Sequence, residues 1–398
     1  MLTYFPYIGK IDTFKVVSAV DSLTTTFSPG SRQAILFLTA GGDTVTNYLI
    51  GRPSPVAYSE EYKRANRGQF RAEIPPVEEL YLIAFALTKL GEADDNLSAK
   101  DSDYYTEVMN HFGQFRDHQL IVTLNAVNDS LGIDGAYGHY NNMRMNSCMY
   151  RLTEDGKIAN PGPYRVLSFE SDNDQEPLLE DFADFARTSQ FAAFYENHLP
   201  LYNLLETQYQ QEVDVHGMWD WLENRFPARY DSYVIYFSPL IGGYHATQRF
   251  TQDDFSETVM FVNAPSDDVA ATARVVFTEI DHNYVNPVSD TVTAVSTALL
   301  PLAYWNTGAQ GYPNSYQTFN EYLTWAVFSL YLRDTFSEAV FTERNTREAG
   351  FMVDERGFPQ FGAFNDFVLD WYATHPDRPL PELWPAALDW MAGVNCGE

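Results

Sequence analysis

Short runs of apolar and polar residues fill the first fifty positions of the chain. The runs within residues 12–50 are rich in β-branched and aromatic side chains, and Pro29–Gly30 and Gly41–Gly42 separate them. Runs of this length and composition, bounded by turn residues, are typical of β-strands. The pattern therefore predicts a β-rich N-terminal segment over residues 1–70.

A helical spacing of apolar residues begins at Pro75. The stretch from Pro75 to Gly91 has proline at its start, two glutamates in its first turn and glycine at its end. These are the boundary signals of a helix, and further helical stretches follow along the chain. The sequence therefore predicts a mostly helical α+β domain over residues 71–398. No clear linker precedes it, so a single domain for the whole chain stays open.

Two apolar runs, residues 232–244 and 255–265, predict strands just before a helix over residues 269–287. At 100° per residue, most of the circumference of this helix is apolar or carries candidate functional groups. Arg274 and Asp281 alone remain for a narrow solvent face. A helix with so little polar surface is expected to be buried.

Glu279 and His282 lie on one inward sector of this helix. In HExxH zinc enzymes, two histidines four residues apart bind the metal and the glutamate between them acts as general base. Here Glu279 and His282 occupy the second and fifth positions of that pattern, but Thr278 occupies the first. A neutral hydroxyl is a poor zinc ligand, so the pattern is incomplete. A buried Glu–His pair with a purely structural role is the alternative.

A second inward carboxylate follows on a later predicted helix. Glu321 shares an apolar stripe with three residues at helical spacing. These are Trp325, Phe328 and Leu332. A carboxylate at such a position needs a cation, a hydrogen-bond donor or a metal ion. Either Glu321 joins His282 in one site or it pairs with an arginine, such as Arg333 or Arg249.

Composition narrows the range of partners. The 398 residues carry a formal charge of −29, which argues against nucleic acid and anionic membranes because both would repel the protein. No apolar run reaches the length of a membrane span, and residues 1–15 lack the features of a signal peptide. Cys148 and Cys396 are too few for a disulfide framework, although one long-range bridge is compatible with the sequence.

Seven segments of the chain occur in a recognisable order. They are IPPVEELYLIAFALTKLG, YYTEVMNHFGQFRDH, LGIDGAYGHYNNM, FADFARTSQFAAFYENHLPLY, PLIGGY, FTEIDHNYVNP and FNEYLTWAVF. Together they resemble a bacterial family of uncharacterised, often exported proteins related to the gluzincin metallopeptidases. The resemblance implies an α+β, gluzincin-like core in which a strand, an active-site helix and a downstream glutamate helix surround one site. It also implies a periplasmic or extracellular location.

The same resemblance implies roles for individual residues. By position, His282 and Glu321 would be metal ligands and Glu279 the general base, with zinc as the cofactor. Thr278 departs from the family pattern, so a substitute ligand is required. Two candidates remain open: His245, or Glu279 itself. The latter would make a site of one histidine and two carboxylates that suits harder metals than zinc.

An intact site of this kind would hydrolyse peptide bonds with the help of the metal and Glu279. The substrate is expected to pair with the strand over residues 255–264. Asn286, followed by Pro287, is expected to end the helix and order the site loop. A histidine at position 278 is expected to tighten zinc binding by more than about tenfold. The rival hypothesis is a non-catalytic protein that keeps the cleft and binds peptide or protein there.

Overall fold

Four N-terminal strands form two antiparallel hairpins, which confirms the predicted strand character of residues 12–50. They are β1 (Asp12–Val17), β2 (Ser22–Phe27), β3 (Arg32–Leu38) and β4 (Thr44–Ile50). Beyond these strands, the computed structural model describes residues 54–170, 173–292, 299, 301–308 and 312–395. Cys396 lies outside the described residues, and Cys148 is buried. The division of the chain near residue 70 stays a prediction.

The remainder of the described chain has a mostly helical α+β fold. Its strands are β5 (Gln69–Glu73), β6 (Arg151–Leu152), β7 (Ile158–Ala159), β8 (Ser232–Ser238), β9 (Ala246–Gln252) and β10 (Phe255–Asn263). Its helices are α1 (Glu60–Asn66), α2 (Pro76–Ala86), α3 (Lys89–Ala93), α4 (Asp103–Phe112), α5 (Gln119–Ser147), α6 (Leu179–Thr188), α7 (Phe191–Glu212), α8 (Val215–Glu223), α9 (Val269–Ser289), α10 (Leu302–Trp305), α11 (Ser315–Thr335), α12 (Glu338–Gly350), α13 (Phe361–Thr374) and α14 (Leu383–Asn395). None of the helices within the described residues is long and apolar enough to cross a bilayer.

A four-stranded mixed sheet in the order β5-β8-β10-β9 forms the centre of this region. Strands β5, β8 and β10 are parallel, and β9 runs antiparallel to β10. Every residue of β8 is buried, because apolar clusters cover both faces of the sheet. Ile235 and Phe237 enter the larger cluster, and Val234 and Tyr236 enter the smaller one. Helix α9 packs on the face of the sheet that carries the larger cluster, through residues such as Ile280.

The strand that the sequence predicts to bind substrate lies inside the sheet and not at its edge. Strand β10, which covers residues 255–263, pairs with β8 on one side and with β9 on the other. Neither of its edges is open to another strand, so the expectation of strand pairing over residues 255–264 is wrong. The edge strand on this side is β9, whose largely polar sequence ATQRFTQ does not predict a strand.

Two helix boundaries also differ from expectation. Helix α2 ends at Ala86 rather than Gly91, and Thr88 begins α3 by accepting a hydrogen bond from the Gly91 backbone N at 3.0 Å. Helix α9 does not end at Asn286 but continues through Pro287 to Ser289. Proline has no N–H to donate to the carbonyl four residues back. That carbonyl, on Asn283, instead accepts a hydrogen bond from the Tyr230 hydroxyl at 2.7 Å.

Candidate functional site

Helix α9 presents one side to the sheet and another to α11. Asp268 caps its start, with Oδ1 accepting hydrogen bonds from the backbone N of Ala270 and Ala271 at 3.0 and 3.1 Å. Val276, Ile280 and Tyr284 are fully buried and hold the helix in the core. This orientation is the one that the apolar periodicity predicts, and it turns the adjacent Glu279–His282 sector toward the neighbouring elements.

His282 and Glu321 lie together, as the inward faces of their two helices predict. His282 Nε2 is 3.8 Å from Glu321 Oε2, and His282 Nδ1 is 3.2 Å from the Thr324 hydroxyl. Burial lowers the pKa of His282, and the nearby Glu321 and Asn286 only partly offset this. The imidazole is therefore neutral near pH 7. The roles of these residues as metal ligands stay predictions.

Glu321 does pair with an arginine, but it is neither of those expected from the sequence. The Glu321 carboxylate accepts hydrogen bonds at Oε1 from Arg356 Nη1 at 2.5 Å and from Trp325 Nε1 at 2.9 Å. Arg333 instead donates to the carbonyl of Leu369. Burial alone would raise the pKa of Glu321, but the Arg356 guanidinium, His282 and the hydrogen bond from Trp325 together outweigh it and hold the pKa below its usual value. Glu321 is an ionised, buried partner in a contact ion pair.

Arg356 is aimed at Glu321 by an irregular turn. A π-helical stretch, Phe351–Glu355, precedes it, and Gly357 follows with a φ of +75°, a conformation that glycine adopts without strain. Arg356 Nη2 donates to the Tyr312 hydroxyl at 2.8 Å. The guanidinium also lies 5.1 Å from the centre of the Trp325 ring, within the range of a cation–π contact.

Glu279 is partly exposed, and no side chain in the described part donates a hydrogen bond to its carboxylate. Burial and the negative charge of Glu321 raise its pKa to about 8. Asp281, expected at the solvent face, is instead fully buried, and no donor in the described residues reaches either carboxylate oxygen. Burial raises the pKa of Asp281 well above its usual value. The expectation that Asp281 faces solvent is therefore wrong.

Thr278, at the first position of the motif, and Arg274, on the predicted solvent face, both make contacts inside the protein. The Thr278 hydroxyl donates to the carbonyls of Arg274 and Val275, at 3.0 and 3.2 Å, within its own helix. Arg274 forms a salt bridge with the buried Glu348 at 3.0 Å rather than extending into solvent. Thr278 is thus directed at the backbone of α9, in the way that threonine commonly bonds inside helices.

His245 follows a turn that is fixed by close backbone contact. A Cβ on Gly242 would lie 2.4 Å from the carbonyl oxygen of Asp95, so only glycine fits there. Burial, followed by the charges of Arg144 and Arg356, lowers the pKa of His245 to about 3. The same two guanidinium groups also act on Glu279.

Within the described residues, the predicted ligands do not form the three-ligand site that a catalytic zinc ion requires. A catalytic zinc site takes three protein ligands and one open position. Within the described part of the chain, no three His, Cys, Asp or Glu side chains are arranged to hold a metal. His282 Nε2 and Glu321 Oε2 are 3.8 Å apart, the other oxygen of Glu321 is bonded to Arg356, and Thr278 is bonded to backbone. Asn286, the remaining predicted binding residue, is half-buried one turn after His282, and its Oδ1 has no donor in the described residues.

The outer edge of β9 lies beside this site. Thr247 accepts a hydrogen bond from Asn283 of α9 at 2.9 Å, and Arg249, two residues along, is on the same face. Burial and a hydrogen bond to Asp290 raise the pKa of Tyr316, in the first turn of α11, to about 12, and the charge of Arg249 opposes this shift. Two surface grooves lie elsewhere. One, of about 680 Å³, lies between α4 and α7, and the other, of about 800 Å³, lies beside residues 376–381.

Comparisons of the chain with protein-family models, with curated proteins and with solved structures found no match. The function must therefore be argued from the site. The sequence did not identify Arg356 or Tyr312 as parts of it. The available signal was the requirement of buried Glu321 for a cation, which predicted the type of partner but not its position.

Proposed function

We propose that this chain binds an extended peptide along the outer edge of β9, beside α9 and α11, and does not cleave it. In this function the chain is a non-catalytic relative of the metallopeptidases that it resembles. The observation that carries the proposal is the edge itself. In the described part of the chain, β9 pairs with β10 alone, and its backbone makes no other hydrogen bond.

Strand addition suits this edge because main-chain groups supply the affinity and alternate side chains supply the specificity. Thr247 and Arg249 lie on the face of β9 that packs against α9, and both are partly exposed. The proposal that the peptide is not cleaved is supported by the contacts of Thr278, which bonds to backbone, and of Glu321, which bonds to Arg356. The formal charge of −29 favours a peptide without excess negative charge, since an acidic one would be repelled.

Fluorescence polarisation with a labelled library of unstructured peptides tests this proposal. Arg249→Ala should weaken binding, whereas Gln248→Ala, on the opposite face of the same strand, should not. Successive N–H groups of an antiparallel strand alternate between its two edges. Proline removes one N–H, so one of Gln248→Pro and Arg249→Pro loses a hydrogen bond to β10 and the other loses an N–H on the outer edge. The variant that keeps the β10 pairing and melts normally should therefore lose peptide binding. Full binding by that folded proline variant would refute strand addition at β9.

A second candidate function is peptide-bond hydrolysis with Glu279 as general base. It is favoured by the partial exposure of Glu279 and by its pKa of about 8, since a general base works best when its pKa lies near the working pH. Incubation of the same peptides with the wild type and with Glu279→Gln separates the two functions. We expect no cleavage by either protein. Cleavage by the wild type that disappears in Glu279→Gln would establish the hydrolase instead.

A further inference from the structure

Arg356, the cation next to Glu321, limits which other cations the site can hold. A buried carboxylate requires compensating positive charge, and a metal ion or an arginine can each provide it. In this chain Arg356 provides it, with Nη1 at 2.5 Å from Glu321 Oε1. The second oxygen, Oε2, has no donor among the described residues and faces His282 Nε2 at 3.8 Å. Any divalent cation that bridged His282 and Glu321 would therefore be a close neighbour of the guanidinium.

Arg356 is held at this position by several independent contacts. The Tyr312 hydroxyl accepts from Nη2 at 2.8 Å, and the guanidinium lies 5.1 Å from the Trp325 ring centre and 5.7 Å from that of Phe358. The backbone N of Arg356 donates to the carbonyl of Phe351 at 3.0 Å. The guanidinium is thus a fixed part of the site and does not swing aside to admit another cation without breaking these contacts.

We propose that Arg356 takes the place of a metal ion: it neutralises Glu321 and excludes a divalent cation from the space between Glu321 and His282. Like charges repel strongly where solvent is scarce, and Glu321 has a single charge to share between the two cations. The loss of a ligand at Thr278 and the presence of Arg356 are then two separate obstacles to zinc. This inference concerns cations and does not depend on whether a peptide binds at β9.

Zinc titration of purified, chelator-treated protein without a histidine tag tests the proposal, with affinity measured by competition against a chromophoric chelator. Thr278→His alone should tighten zinc binding by less than about tenfold, which is below the gain expected from the sequence, because Arg356 still occupies the site. Thr278→His with Arg356→Met should tighten it by about a hundredfold or more, since single contacts around a metal are worth about 10–100-fold. Thr278→His with Arg356→Lys keeps the charge and should gain no more than Thr278→His alone.

Arg274 offers a matched control, because its guanidinium lies 5.7 Å from the same Trp325 ring but pairs with Glu348. Thr278→His with Arg274→Met should not gain zinc affinity beyond Thr278→His. Circular dichroism and melting confirm that each variant is folded. If the Met variant does not fold, Arg356→Gln, which is neutral and retains an N–H donor, carries the same expectation. Equal zinc affinity for Thr278→His with and without the neutral residue at 356 would overturn the proposal.

Discussion

The ion pair between Arg356 and Glu321 is expected to contribute strongly to stability. Arg356→Met keeps much of the side-chain length but leaves Glu321, which is 2% exposed, without its counter-ion. Removal of one partner from a buried pair costs about 3–5 kcal/mol. Glu321→Gln should cost less, about 1–3 kcal/mol, because Arg356 is 22% exposed and water can solvate it in part.

The double variant Arg356→Met with Glu321→Gln removes both charges, so its cost should fall well below the sum of the two single costs. Urea unfolding followed by tryptophan fluorescence measures each free energy. Arg378→Met is the control, because Arg378 and Glu382 are 58% and 50% exposed and such surface pairs contribute about 0–1 kcal/mol. Additivity of the two single changes within about 0.5 kcal/mol would refute the reasoning.

The pH dependence of this effect gives an independent check. In the wild type the pKa of Glu321 is lowered, so its stabilisation is present above the unfolded-state pKa and is lost as pH falls. In Arg356→Met the guanidinium no longer opposes burial, so the pKa of Glu321 should rise. The Glu321 carboxyl of the folded protein should then stay protonated to higher pH. The difference in stability between the two proteins should therefore shrink on going from pH 7.5 to pH 4.5. A difference that grows in acid would contradict the assignment of Arg356 as the counter-ion.

Two further outcomes are expected. The pKa of Glu279 is raised from 4.5 to about 8, so between these pH values the folded wild type binds more protons than the unfolded chain. The wild type should therefore lose stability as pH rises through this window. Glu279→Gln should remove this loss, and parallel pH–stability curves for the two proteins would contradict the reasoning. In α5, Gly132 has φ +68° and ψ 175° and kinks the helix. This region is almost restricted to glycine, so Gly132→Ala should cost about 1–3 kcal/mol, whereas Gly138→Ala, at a helical position with open space for the added Cβ, should stabilise by up to about 1 kcal/mol. Equal melting temperatures for the two variants would argue against the kink.

The sequence alone determined which faces of the helices point inward. The periodicity of apolar residues is a local property, so the orientations of α9 and α11 could be predicted, and with them the meeting of His282 and Glu321. Strand β8 could be predicted for the same reason, because its buried run is unbroken. The resemblance to metallopeptidases, the division at residue 70 and an exported location remain predictions that rest on the sequence.

The tertiary structure decided how the buried polar groups are satisfied, because their partners are distant in sequence. Arg356 lies 35 residues beyond Glu321, in a turn without any periodic signal. Asp281 is polar and its position in the periodicity predicts a solvent-facing side chain, yet it is fully buried in α9, along which α11 packs. The edge position of β9 depends on which strands pair, and a polar sequence carries little information about pairing. Side-chain chemistry could therefore predict that Glu321 needs a cation, but three-dimensional packing alone determined that an arginine supplies it.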